Sequence, residues 1–143
     1  MAILTGLRGW RAPGRLVTLA ALLGPNPAWA EWRLVSDDGF SKIYVESESR
    51  KALPNGVVAV SALTDYDPNS PQAKDFGLAE KGLSEIESVS IDCPRRLYKS
   101  NGGNWFKEHM GRGEISKNYG SVLKWTPVPD YYNGLAAEIC PLR

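Results

Sequence analysis

The sequence predicts an α+β domain: an antiparallel sheet that carries a C-terminal helix, with a disulfide joining the two. Three observations predict it. Residues 57–66 (VVAVSALTDY) and 84–93 (SEIESVSIDC) show the β-branched content and the alternation of strands. In residues 130–140 (DYYNGLAAEIC), Tyr131, Leu135 and Ile139 recur every fourth residue beside Tyr132, Ala136 and Cys140, which is the apolar face of a helix. The chain has only two cysteines, Cys93 at the end of the second strand and Cys140 on the edge of the helix, and it opens with an export signal. Two cysteines in an exported protein predict one disulfide.

The export signal occupies residues 1–30. Arg8, Arg11 and Arg15 form a basic segment, and residues 16–23 (LVTLAALL) form an apolar one. Gly24, Pro25 and Pro27 break it ahead of Ala28-Trp29-Ala30, an A-x-A site. This is a secretory signal peptide of bacterial type, with cleavage expected after Ala30. Eight apolar residues are too few for a hydrocarbon core about 30 Å thick, and no later run approaches that length. No transmembrane segment is therefore expected after cleavage, and no cysteine near the site invites lipid attachment. Residues 31–143 remain as a single domain. The signal removes three of the 17 Lys+Arg and none of the 16 Asp+Glu, so the charge of +1 for the whole chain becomes −2 for the domain. A nucleic-acid or anionic-membrane binder needs a basic excess, which this balance excludes.

Residues 31–35 and 41–46 read as a first hairpin around Ser36-Asp37-Asp38-Gly39, residues suited to a tight turn. Residues 57–66 carry no charge before Asp65 and are expected at the centre of the sheet, with Val58, Val60 and Ala62 on one face. Residues 67–82 are polar and hold Pro68, Pro71, Gly77 and Gly82, so they read as a surface loop with one helical turn at 72–76. In residues 84–93, Val89, Ile91 and Cys93 share a face. Glu85 and Glu87 fall on that face too and are expected to project past the sheet edge. After Pro94, residues 95–100 are expected as a strand, Asn101-Gly102-Gly103-Asn104 as a hairpin turn, and residues 105–110 as the returning strand. Residues 121–126 are a last short strand or extended run, ended by Pro127 and Pro129.

Asp130 is the expected N-cap of the final helix. Gly134 weakens that helix by roughly 1 kcal/mol relative to Ala. A helix of about ten residues is marginal alone, so it must dock on the sheet. The disulfide anchors it and closes a loop of about 48 residues, with a stabilisation of about 4 kcal/mol on the chain-entropy account.

The residues point away from catalysis, and no cofactor is expected. His109 is the only histidine, and no G-x-S-x-G elbow or free thiol accompanies it. C-x-x-C, H-x-x-x-H and C-x-x-C-H patterns are absent, and Pro68 with the missing glycine defeats a calcium loop at Asp65 and Asp67. The candidate protein-binding residues are the basic cluster Arg95, Arg96 and Lys99 with Tyr98, and Lys74 and Lys81 in the loop before Cys93. The alternative for the basic cluster is a solvated strand face. Tyr98, Trp105, Tyr131 and Tyr132 form an aromatic binding surface if exposed and core if not.

Four blocks then resemble a known family, the bacterial surface-adhesin E proteins. They are Ile43–Ser49 (IYVESES), Asp92-Cys93 with Tyr98 five residues beyond the cysteine, Trp105-Phe106 followed by Gly111-Arg112-Gly113, and Trp125 with Pro127 leading into LAAEIC at 135–140. The resemblance implies an antiparallel sheet of about six strands with the C-terminal helix held on its concave side by the disulfide. It also implies an exported, non-catalytic protein of the periplasm or cell surface. Its partner would be a host matrix or plasma protein or another envelope protein, with a homodimer among its arrangements. The competing expectations are a periplasmic accessory module without a host ligand and, below that, a small-ligand or enzymatic domain.

Overall fold

A computed structural model describes residues 31–141; the signal segment and its cleavage site lie outside the described residues. The strands are β1 (Trp32–Asp37), β2 (Ser41–Glu46), β3 (Lys51–Ala52), β4 (Val57–Tyr66), β5 (Ser84–Asp92), β6 (Leu97–Phe106), β7 (Ile115–Tyr119) and β8 (Thr126–Pro127). They form one antiparallel sheet in the order β1-β2-β4-β5-β6-β7, with β3 added to β4 and β8 to β6. The helices are α1 (Gln72–Phe76), α2 (Leu78–Lys81) and α3 (Asn133–Ile139).

β4 lies inside the sheet, as the absence of charge before Asp65 predicts. Val58, Val60 and Ala62 turn to one face beside Ile43 and Val45 of β2 and Val89 and Ile91 of β5, and all are buried. Tyr132, Leu135, Ala136 and Ile139 pack onto this face and complete the core. A seven-residue helix has little stability of its own, so this burial, at roughly 1.5–3 kcal/mol for each large apolar side chain, is what forms α3. The Cys93–Cys140 disulfide ties the end of α3 to the turn after β5. The β1–β2 turn forms as expected, with Asp38 Oδ1 accepting from the backbone N–H groups of Phe40 and Ser41. On the opposite face the segment between β6 and β7 folds back over Leu63 and Ile86. The Ser84 hydroxyl donates to the Glu108 carbonyl at 2.6 Å and accepts from Gly111 N–H at 2.8 Å.

The structure corrects several expectations. Asn101–Asn104 is no hairpin turn. It lies inside β6, where Asn101 and Gly102 stand opposite the single residue Ser88 as a β-bulge, with Gly102 at φ +103°. Gly103 is small for a packing reason: a Cβ there would meet the Ile86 carbonyl oxygen at 2.5 Å and the Tyr119 hydroxyl at 2.6 Å. Trp105 therefore continues the strand that Tyr98 belongs to, and residues 107–110 are loop. Arg95 and Arg96 belong to the turn between β5 and β6, with Arg96 at φ +57°. Residues 121–125 are irregular. The polar stretch 67–82 holds two short helices where one turn was expected. The C-terminal helix begins with a 3₁₀ turn, Asp130–Tyr132, whose N-cap is Pro129 and not Asp130. Tyr132 shares the face of Leu135, Ala136 and Ile139 at i, i+3, i+4 and i+7 and is buried, whereas Tyr131 lies off that face and is 53% exposed.

Candidate functional site

α3 covers only one end of the sheet face it packs on. Past its opening turn the same face continues as Tyr66 of β4, Glu85 and Glu87 of β5, Trp105 of β6 and Tyr119 of β7, which the strand register and alternation turn the same way. This uncovered end forms a cleft of about 570 Å³. α1 and α2 close one side of it. Gly77, at φ +75°, turns the chain between them and leaves Phe76 and Lys81 on the rim. Phe40, from the β1–β2 turn, closes the next side.

The walls are aromatic. Tyr66 and Trp105 stack with centroids 5.4 Å apart and planes 17° from parallel. Phe40 and Phe76 pack against Tyr66, each at 5.2 Å. The Lys81 ammonium lies 4.2 Å from the Phe76 ring centroid and 5.5 Å from that of Trp105, a cation–π arrangement with both.

The floor is acidic. Glu85 and Glu87 are two residues apart on one strand, hence side by side on one face. Glu87 is only 6% exposed and does not project past the sheet edge. Its two carboxylate oxygens accept from the Tyr98 and Tyr132 hydroxyls, each at 2.6 Å, which replaces the water lost on burial. Tyr119 donates its hydroxyl to Glu85. Burial pushes the Glu85 carboxyl up to about 7 from 4.5, against the opposing pull of the Tyr119 hydrogen bond. Burial and the neighbouring carboxylates hold the hydroxyls of Tyr66, Tyr98, Tyr119 and Tyr132 far above the ordinary tyrosine range, and Tyr131 is pushed up to about 12. Tyr98, Tyr119 and Tyr132 are therefore fixed donors to the glutamates. The cleft offers a visitor π faces and carboxylate oxygens.

The profile of the surface-adhesin protein E family matches residues 32–140. The chain belongs to this family. Among solved structures it is similar to crystal form II of Haemophilus influenzae protein E, with 20% sequence identity, a TM-score of 0.49, and 81% of this chain and 91% of that chain covered. No curated protein matches the chain. The framework of this surface-adhesin E chain is the sheet and docked helix described above.

Of the six residues expected to bind protein, the fold brings two to the cleft. Tyr98 stands at its floor and Lys81 at its rim. Arg95 is spent locally: its Nε donates to Asp92 Oδ2 at 2.7 Å and holds the Asp92 carboxyl below its usual range. Arg96 stands by the disulfide, Lys99 lies on the opposite face with its ammonium 4.9 Å from the Trp125 centroid, and Lys74 is exposed on α1. Trp105 and Tyr132 are buried, whereas Tyr131 stays open on the rim. His109, on the face away from the cleft, sets its Nδ1 3.1 Å from both Asp65 oxygens and holds the β6–β7 loop. No three metal-ligating side chains converge among the described residues. Sequence reasoning missed Phe40, Tyr66, Phe76, Glu85, Glu87 and Tyr119. The one available signal was the placement of the two glutamates on the face of Cys93.

Proposed function

We propose that this chain is an exported, non-catalytic binding protein that engages a protein partner at the cell surface through the cleft beside α3. Export rests on the signal pattern of residues 1–30, and the adhesive role rests on membership of a family named for surface adhesion. The observation that carries the reading is the uncovered half of the sheet face, where aromatic rings surround two tyrosine-held glutamates in an open cleft. Aromatic side chains in preformed hollows are the usual anchors of protein interfaces. The partner is a host matrix or plasma protein or another envelope protein.

The test pairs location with binding. Protease shaving of intact cells should remove the protein, and the purified protein should bind immobilised matrix or plasma proteins, or purified envelope proteins. Phe76→Ala combined with Tyr131→Ala alters only exposed rim residues and should weaken that binding by about tenfold or more. Undiminished binding by the double variant would remove the cleft from the interface. Protection from protease on intact cells would favour a periplasmic accessory module instead.

A further inference from the structure

We infer that the cleft is a receptor for an arginine side chain of the partner protein, and that Lys81 is a resident cation the arginine displaces. The inference deepens the reading of the cleft as the partner site and rests on it.

Charge complementarity selects the occupant. Apart from Lys81, the charged and aromatic groups of the cleft are negative towards a ligand: the faces of Phe76 and Trp105, the carboxylates of Asp38 and Glu87, and that of Glu85 once ionised. An anion is repelled by all of them. A cation is already there, since the Lys81 ammonium lies within 4.2 Å of the Phe76 centroid and 5.5 Å of the Trp105 centroid. Lys81 also lies close enough to Glu85 to pull its carboxyl down, so the rings and the acid hold positive charge together. Lys81 sits at the end of α2 on the rim, on a flexible stem, so it can leave without unfolding anything.

Arginine fits better than lysine for three reasons. Its guanidinium is planar and stacks on aromatic faces. It is more weakly hydrated than an ammonium, so it loses less on entering a partly buried site. It also carries five N–H donors in a fork. The two carboxylates have about eight lone-pair sites between them. Three tyrosine hydroxyls occupy one each, two of them on the buried Glu87, so the acceptor capacity left for the fork is chiefly that of Glu85. The volume of about 570 Å³ admits the whole side chain with its flanking backbone.

The test titrates the purified protein with acetyl-Gly-Arg-Gly-amide, followed by tryptophan fluorescence and calorimetry. The matched peptides carry citrulline, a neutral isostere, or lysine. The arginine peptide should bind about tenfold tighter than the citrulline peptide and severalfold tighter than the lysine peptide. Lys81→Met should tighten arginine binding severalfold by removing the resident competitor. Glu85→Gln should weaken it by about fivefold to tenfold. Circular dichroism checks that both variants are folded, and if Glu85→Gln is not, the Lys81→Met result alone decides. Equal binding of the arginine and citrulline peptides, lysine binding as tight as arginine, or weakened or unchanged arginine binding in Lys81→Met would each overturn the inference. Partner capture that is lost in the rim variants, without arginine-peptide binding, would sink this inference and leave the proposed function standing. Specific arginine-peptide binding without any matrix, plasma or envelope partner would do the reverse.

Discussion

At the residue scale the two glutamates show how neighbours decide the cost of a buried carboxylate. Glu87 has a tyrosine hydroxyl on each oxygen, whereas Glu85 has the one from Tyr119, and burial raises its carboxyl to about 7. The folded protein therefore holds the Glu85 proton more tightly than the unfolded chain does. The stability Glu85 contributes is fully present below pH 4.5 and is lost as pH rises through about 7. At about 1.4 kcal/mol per unit, ionised Glu85 costs the fold on the order of 3 kcal/mol. Glu85→Gln keeps the shape and an acceptor for Tyr119 but cannot ionise. The variant and its parent should have similar urea midpoints below pH 4.5 and diverge towards pH 7, with the variant the more stable. Other titrating groups are common to both and cancel in the difference. Parallel profiles at all pH values would show that Glu85 is not desolvated.

At the element scale the decisive contact is between α3 and β1. On helix propensity alone, Gly134→Ala should stabilise α3 by roughly 1 kcal/mol. The packing reverses the sign. A Cβ on residue 134 would come 2.6 Å from the Val35 carbonyl oxygen and 3.2 Å from Ser36 Cβ, and a backbone carbonyl cannot swing aside. α3 would have to lift off β1, so Gly134→Ala should lower stability by about 1–3 kcal/mol, read from thermal unfolding. A more stable variant would mean that α3 slides freely over the sheet. The same contrast explains what the sequence could reveal. The alternation of β4 and β5 and the spacing of Leu135, Ala136 and Ile139 are local patterns, and each appears in the structure. Gly102 and Gly103 carry the chemistry of a turn, yet one serves a bulge and the other a close approach to Tyr119, and only the paired strand distinguishes these uses. Glu85 and Glu87 could be placed on a face from their spacing. Their tyrosine partners stand 11, 34 and 45 residues away in Tyr98, Tyr119 and Tyr132, and no local pattern links them.

At the scale of the whole molecule the disulfide divides the cleft's contributors into two groups. Tyr66, Phe76, Lys81, Glu85 and Glu87 precede Cys93, while Trp105, Tyr119, Tyr131 and Tyr132 lie within the loop that the bond to Cys140 closes. The cysteines are 47 positions apart, and a loop of that size constrains the unfolded chain by about 4 kcal/mol. Against a net stability of roughly 5–15 kcal/mol, that is enough to matter without being required for folding. Cys93→Ser with Cys140→Ser should therefore fold but unfold at clearly lower urea, and reductant should shift the parent protein to the same midpoint while leaving the variant unmoved. The loss should not be uniform. β4 is flanked by paired strands on both sides, but α3 has only its packing on one face. In the reduced protein, amide exchange at Leu135, Ala136 and Ile139 should accelerate well before exchange at Val58, Val60 and Ala62. Tyr132 leaves Glu87 when α3 undocks, so loosening should spread from the helix into the cleft floor, and ligand affinity should fall at reductant levels that leave the sheet intact. Equal acceleration in α3 and β4 would instead show that the bond stabilises the fold as one unit and has no separate role in holding the cleft together.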